Sequence, residues 1–100
     1  MNLNFRTALG EILREKRHEL GLNLRQVSAK GFIALGYLSE VERGQKDASS
    51  ETLEAIAQGL GVEAYELVVQ AGLRMANAPD TPESLFTRNA DWSKQYADLS

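Results

Sequence analysis

Residues 23–44 read NLRQVSAKGFIALGYLSEVERG, and the placement of asparagine, glycine and apolar residues in this stretch decides the fold. Asn23 is a good N-cap, because its side-chain oxygen accepts from the backbone N–H groups left open where a helix starts. Leu24, Val27 and Ser28 follow at helical spacing, so a helix of about two turns opens after Asn23 and closes near Lys30 at Gly31. The tight connection Gly31-Phe32-Ile33 leads at once into another helix, from Ala34 to Arg43. There Leu38, Val41 and one side of Tyr37 collect on one face, and Gly44 ends the run. Two short helices thus share one turn.

The flanks are helical as well. Leu9, Ile12, Leu13 and Leu20, with the stem of Lys16, form the apolar stripe of a helix over about residues 5–19, ended by Gly21. Downstream, Ser49 and Ser50 precede Glu51 and Thr52, and Leu53, Ile56, Ala57 and Leu60 recur at spacings of three and four before Gly61. A fifth helix spans about residues 63–76, where Val62, Tyr65, Leu67, Val68, Val69 and Leu73 give an apolar arc wider than one core needs. That surplus implies a second buried surface. Pro79 and Pro82 then break the pattern, since two prolines so close cannot continue a helix interior. The expectation is an all-α, five-helix domain over residues 1–76, followed by a linker and C-terminal tail over 77–100. In that tail Leu85, Phe86, Trp92, Tyr96 and Leu99 are thinly spread, which suits either a short docking helix or a largely disordered extension.

Composition narrows the function. One hundred residues hold one modest core and leave little room for a large enzyme cleft. With no cysteine, thiol catalysis, disulfides and thiolate metal sites are excluded, and a reducing cytoplasm suits the chain. No signal-peptide pattern opens the sequence, and no run of about eighteen apolar residues is present, so no membrane partner is expected. No cofactor is expected either. The net charge of −3 looks wrong for a partner of nucleic acid, but the charge is polarised. Residues 1–46 carry eight Lys/Arg against five acids, a net +3, whereas residues 47–100 carry three against nine, a net −6. A basic half can meet phosphates while an acidic half faces away. Scattered surface charge is the plainer alternative.

The paired short helices of residues 24–43 have the length and the turn of a helix-turn-helix, whose second helix is held so that its outer face enters the DNA major groove. At 100° per residue, Leu35, Gly36, Ser39, Glu40 and Arg43 share an arc of roughly 140°, while Leu38 and Val41 point into the core. A glycine inside this helix costs up to about 1 kcal/mol relative to alanine. Close approach of DNA offsets that cost if it requires a missing side chain.

Residues 20–23 (Leu-Gly-Leu-Asn), 37–44 (Tyr-Leu-Ser-Glu-Val-Glu-Arg-Gly) and 50–57 (Ser-Glu-Thr-Leu-Glu-Ala-Ile-Ala), with Leu60-Gly61-Val62, resemble the phage-repressor-like (Xre/Cro-type) helix-turn-helix regulators over about residues 8–70. More narrowly, residues 35–46 and 68–75 resemble the actinobacterial Clp-gene regulators (ClgR). The resemblance implies a cytoplasmic transcriptional activator of genes for the Clp protease and other proteostasis functions, acting on an operator in double-stranded DNA. RNA polymerase and the Clp protease itself are the protein partners it suggests. It also implies base reading by Leu35, Gly36, Ser39 and Glu40, flanked by Tyr37 and Arg43. Glu40 can accept from cytosine N4, Leu35 can pack on a thymine methyl, and Arg43 can take guanine or grip a phosphate, at about 1–3 kcal/mol for each specific pair. Arg25, Gln26 and Lys46 are candidate phosphate contacts. Arg17 and Glu42 occupy positions that in the family often pair, which makes Glu42 structural rather than a base reader. Many relatives carry Ser or Thr where this chain has Ala34, so the N-cap of the reading helix is lost here.

The remaining polar residues suggest no other chemistry. His18 is the only histidine and reads as a surface or cap residue, and Glu83, Asp91 and Asp98 have no metal-ligand spacing. No nucleophile–base pair or phosphate-cradling loop is found, so an enzyme is not expected. The leading expectation is a homodimer on a near-palindromic operator with half-sites about 34 Å apart. Its interface is expected to use Tyr65, Leu67, Val68, Leu73 and Met75, with Phe86 and Trp92 from the tail. The alternative is a protein-interaction module, an antitoxin or adaptor, on the same fold.

Overall fold

The apolar periodicity yields five helices in the computed structural model, which describes residues 4–76. They are α1 (Phe5–Glu19), α2 (Leu24–Gly31), α3 (Leu35–Glu42), α4 (Ser50–Leu60) and α5 (Ala64–Met75), and no strand occurs among the described residues. Ala34 and Arg43 cap α3 from outside, and Glu63 and Ala76 do the same for α5, so both helices are one residue shorter at each end than the sequence suggests. Asn4, Asn23 and Ser49 each accept a backbone N–H at a helix start. At Asn23 the cap is reciprocal: the Gln26 N–H donates to Asn23 Oδ1 and the Asn23 N–H donates to Gln26 Oε1, both at 2.8 Å. Ala34 makes no side-chain cap bond.

Leu9, Leu13, Val27, Leu38, Val41, Ile56 and Leu67 fill the core, as α1 packs on α3 and α5 while α2 packs on α3 and α4. Leu20 departs from its expected place on the α1 stripe. It is the C-cap of α1, where the chain turns away through Gly21 at φ 71, and it is exposed.

The end of α2 also departs from expectation. Gly31 is the last helical residue, and the left-handed cap is Phe32, at φ 55 and 90% exposed. Packing is the cause. A Cβ on Gly31 would collide with the carbonyl oxygen of Ala55 on α4, and one on Gly59 would lie 2.5 Å from the Val27 carbonyl oxygen on α2. The helices therefore cross backbone against backbone, and the left-handed position falls to the next residue, although its Cβ makes that conformation cost about 1–2 kcal/mol.

Candidate nucleic-acid interface

A groove reader must be gripped from behind and left free in front, and α3 has both properties. Leu38 and Val41 anchor its inner face in the core. At its start, the Ser28 hydroxyl donates to the Ile33 carbonyl while the Ile33 N–H donates to the Ser28 carbonyl at 3.0 Å, which locks the turn between α2 and α3. At its end, a Cβ on Gly10 would lie 2.5 Å from the Glu42 carbonyl oxygen, so α1 and α3 also meet at backbone distance.

The same end carries the least exposed ion pair among the described residues. Arg17 donates from Nε and Nη2 to the two Glu42 carboxylate oxygens at 2.8 and 2.7 Å, and from Nη1 to the Leu22 carbonyl at 3.1 Å. The side chains are only 12% and 8% exposed. Donation to Glu42 raises the Arg17 pKa above its ordinary value, against the opposing cost of burial. Glu42 thus points inward.

Tyr37 is placed differently from the flanking reader the resemblance implies. It is half-buried against the core, and its hydroxyl donates to the Asp47 carbonyl at 2.7 Å, fastening the α3–α4 loop. Arg6 holds the same residue through its carboxylate at 2.8 Å. No sequence signal marked this role, since an aromatic on a helix edge reads equally as core or contact.

The outer face of α3 brings Leu35, Gly36, Ser39, Glu40 and Arg43 together. Leu35, Gly36 and Arg43 are exposed, and Ser39 and Glu40 are half-buried. The Arg43 guanidinium lies back along the helix, donating to Ser39 Oγ at 2.8 Å and to Gln45 Oε1 at 3.4 Å. Beside this face, Asn23, Leu24 and Arg25 at the start of α2 join Leu35, Gly36 and Ser39 to enclose a groove of about 530 Å³. Gln26 spends its amide oxygen on the Asn23 cap, which leaves its NH₂ group facing outward as a donor.

Charge follows the same division. Among the described residues, ion pairs engage Arg6, Lys16, Arg17 and Arg74, whereas Arg14, Arg25, Lys30, Arg43 and Lys46 take part in none. Four of those five uncommitted cations lie between residues 25 and 46. The Arg17 and Arg74 pairs tie α1 to α3 and to α5, Arg6 ties α1 to the α3–α4 loop, and Lys16 pairs within α1.

On α5, Tyr65, Val68 and Met75 are exposed, and with the exposed Gly72 they fall on one helical face. Leu67 and Leu73, expected in the same surface, are instead buried within the monomer, because α5 packs against both α1 and α4. Phe86 and Trp92 lie outside the described residues. No helix among the described residues is long and apolar enough to cross a membrane.

Comparison with known proteins agrees with this geometry. The family model described as "Helix-turn-helix" (HTH_3) matches residues 13–67. The transcriptional regulator ClgR of Mycobacterium tuberculosis is 45% identical over 71 residues, which are 71% of this chain and 63% of that protein, so the chain spans less than two thirds of that relative's length. The crystal structure of the clp gene regulator ClgR from Corynebacterium glutamicum superposes with a TM-score of 0.71 at 33% identity, over 93% of this chain and 97% of that one. The restriction-modification controller protein C.AhdI from Aeromonas hydrophila gives a TM-score of 0.59 at 31% identity, over 61% of this chain and 92% of that one. With the matched segment covering both short helices, their shared turn and most of the core that holds them, the chain belongs to the HTH_3 helix-turn-helix family.

Proposed function

We propose that the chain is a sequence-specific transcriptional regulator that binds double-stranded DNA as a homodimer, with α3 in the major groove. The observation that carries this reading is the two-sided build of α3. Its inner face and both ends are held by packed contacts, and its outer face presents Leu35, Ser39, Glu40 and Arg43 beside Arg25, which like Lys30 and Lys46 joins no ion pair among the described residues. The Glu40 side chain accepts from cytosine or adenine amino groups, Arg25, Gln26 and Lys46 grip phosphates, and Arg43 serves either edge of the contact.

Two-fold symmetry is supported by the exposed stripe of Tyr65, Val68 and Met75, which a second α5 covers in an isologous contact. The operator is then near-palindromic, with half-sites about one helical turn apart. Similarity to the ClgR proteins supports a role in switching on genes of the Clp protease and related proteostasis functions, with RNA polymerase as the partner in activation and the Clp protease as a partner in the regulator's own turnover.

The test is binding to duplexes selected from a random library, measured across a salt series. Log K should fall steeply with log salt, at about −0.9 for each phosphate neutralised, and Glu40→Ala should lose sequence preference while retaining the salt slope. Weak, sequence-blind binding, or none, refutes the reading and favours a protein-interaction module. Sedimentation of the Val68→Glu protein should show monomer where the parent is dimeric.

A further inference from the structure

The exposed glycines inside helices divide from the buried ones in an informative way. A Cβ on Gly10, Gly31 or Gly59 would strike the backbone of a neighbouring helix, so internal packing requires those glycines. A Cβ on Gly36 would meet nothing within 4 Å, and its φ is not in the left-handed region. Nothing among the described residues therefore explains a glycine at the second position of α3, where alanine would favour the helix. The requirement for a missing side chain comes from outside those residues.

Gly36 lines the groove between α2 and α3 together with Leu24 and Leu35. Both polar side chains that line the groove have internal hydrogen bonds: Asn23 Oδ1 accepts the Gln26 N–H, and Ser39 Oγ accepts from Arg43. No acid lines it, and the one charged residue in its lining is Arg25, which is exposed and joins no ion pair among the described residues. A largely apolar lining that includes one cation outside any ion pair fits a small apolar substituent carried next to an anion. In DNA that combination is the thymine C5 methyl group with its adjoining phosphate.

We propose that the Leu24–Leu35–Gly36 groove is a thymine-methyl pocket, that Arg25 holds the phosphate beside it, and that Gly36 is a specificity-determining residue because its missing side chain opens the pocket. The proposal rests on the DNA-binding reading above and adds the chemistry of one base in each half-site. A thymine at that place is read by contact with its methyl group, without a hydrogen bond.

The test takes the tightest duplex selected from a random library and replaces each thymine in turn by uracil, which removes only the methyl group. One symmetry-related pair of thymines should stand out, with affinity falling about four-fold for each methyl removed. In Gly36→Ala the added methyl stands in the groove beside Leu35, where the thymine methyl would lie. That protein should melt at a higher temperature than the parent, bind the thymine duplex more weakly and lose the uracil effect. Leu35→Ser should lose the uracil effect as well. A flat uracil scan on a duplex that still binds, or Gly36→Ala binding as the parent does, overturns the pocket and leaves the DNA-binding reading intact. Failure of every duplex to bind removes both.

Discussion

Truncating Glu42 to alanine should cost this domain close to half its stability. The substitution leaves the Arg17 guanidinium buried with the Leu22 carbonyl as its one remaining partner, in place of two carboxylate bonds of 2.7 and 2.8 Å. Breaking a buried pair from one side costs about 3–5 kcal/mol. The surviving carbonyl bond and the 12% exposure of Arg17 place the expected loss near the lower end, at about 3 kcal/mol. A domain of this size has roughly 4–11 kcal/mol to lose, and its melting temperature falls about 4–8 °C per kcal/mol. Urea unfolding followed by far-ultraviolet circular dichroism measures the change directly. The double variant Arg17→Met/Glu42→Leu removes both charges and should return to within about 1 kcal/mol of the parent, since two apolar side chains of similar length then meet at the seam. A loss below about 1 kcal/mol in Glu42→Ala would equal that of a solvent-exposed pair and refute the account of α3 as pinned by a buried ion pair.

Two further outcomes follow from strain and from charge. Phe32→Gly should stabilise the protein by up to about 1 kcal/mol in the same unfolding assay, because glycine adopts the φ of 55 without penalty and the aromatic ring has almost no contact to lose. Between α5 and α1, Arg74 donates to Glu15 at 2.6 and 2.8 Å and to Glu11 at 3.1 Å, and the hydrogen bond from Arg74 holds the Glu15 carboxyl below its ordinary 4.5 against the opposing cost of burial. A depressed carboxyl pKa contributes stability that is present above the unfolded value and is lost as pH falls through the folded one. The parent should therefore lose this contribution below about pH 4.5, whereas Arg74→Met should be weaker at neutral pH and show a shallower acid decline in thermal melts taken across that range.

The parts of the fold governed by local chemistry were legible in the sequence. Asn23 and Ser49 cap as their residue types dictate, Gly21, Gly44 and Gly61 take positive φ just past helix ends, and Leu38 and Val41 turn inward by periodicity. Misreadings fall where a distant segment decides. Gly31 looks like a helix stop in one dimension, but the Ala55 carbonyl claims its missing Cβ and passes the left-handed turn to Phe32. The wide apolar arc of α5 could not be divided between core and interface without knowing that α1 and α4 both pack on it. Leu67 and Leu73 therefore read as surface beside Tyr65 and Val68. In the candidate site, the outward arc of α3 followed from its 100° step, but the Tyr37–Asp47 bond and the folding of Arg43 onto Ser39 join side chains whose rotamers no spacing rule fixes.

The crossing of α2 and α4 at Gly31 and Gly59 has a consequence for how such a protein can change. Its closeness is set by main-chain contact, and the helix-turn-helix pair is otherwise fixed by Val27, Leu38, Val41 and the Arg17–Glu42 bridge. Leu35, Gly36, Ser39 and Glu40 belong to neither group. If the proposed reading of α3 holds, the residues that fold the chain and those that address DNA are separate sets, so a lineage, or an experimenter randomising those four positions, can search new operators without first repairing the scaffold.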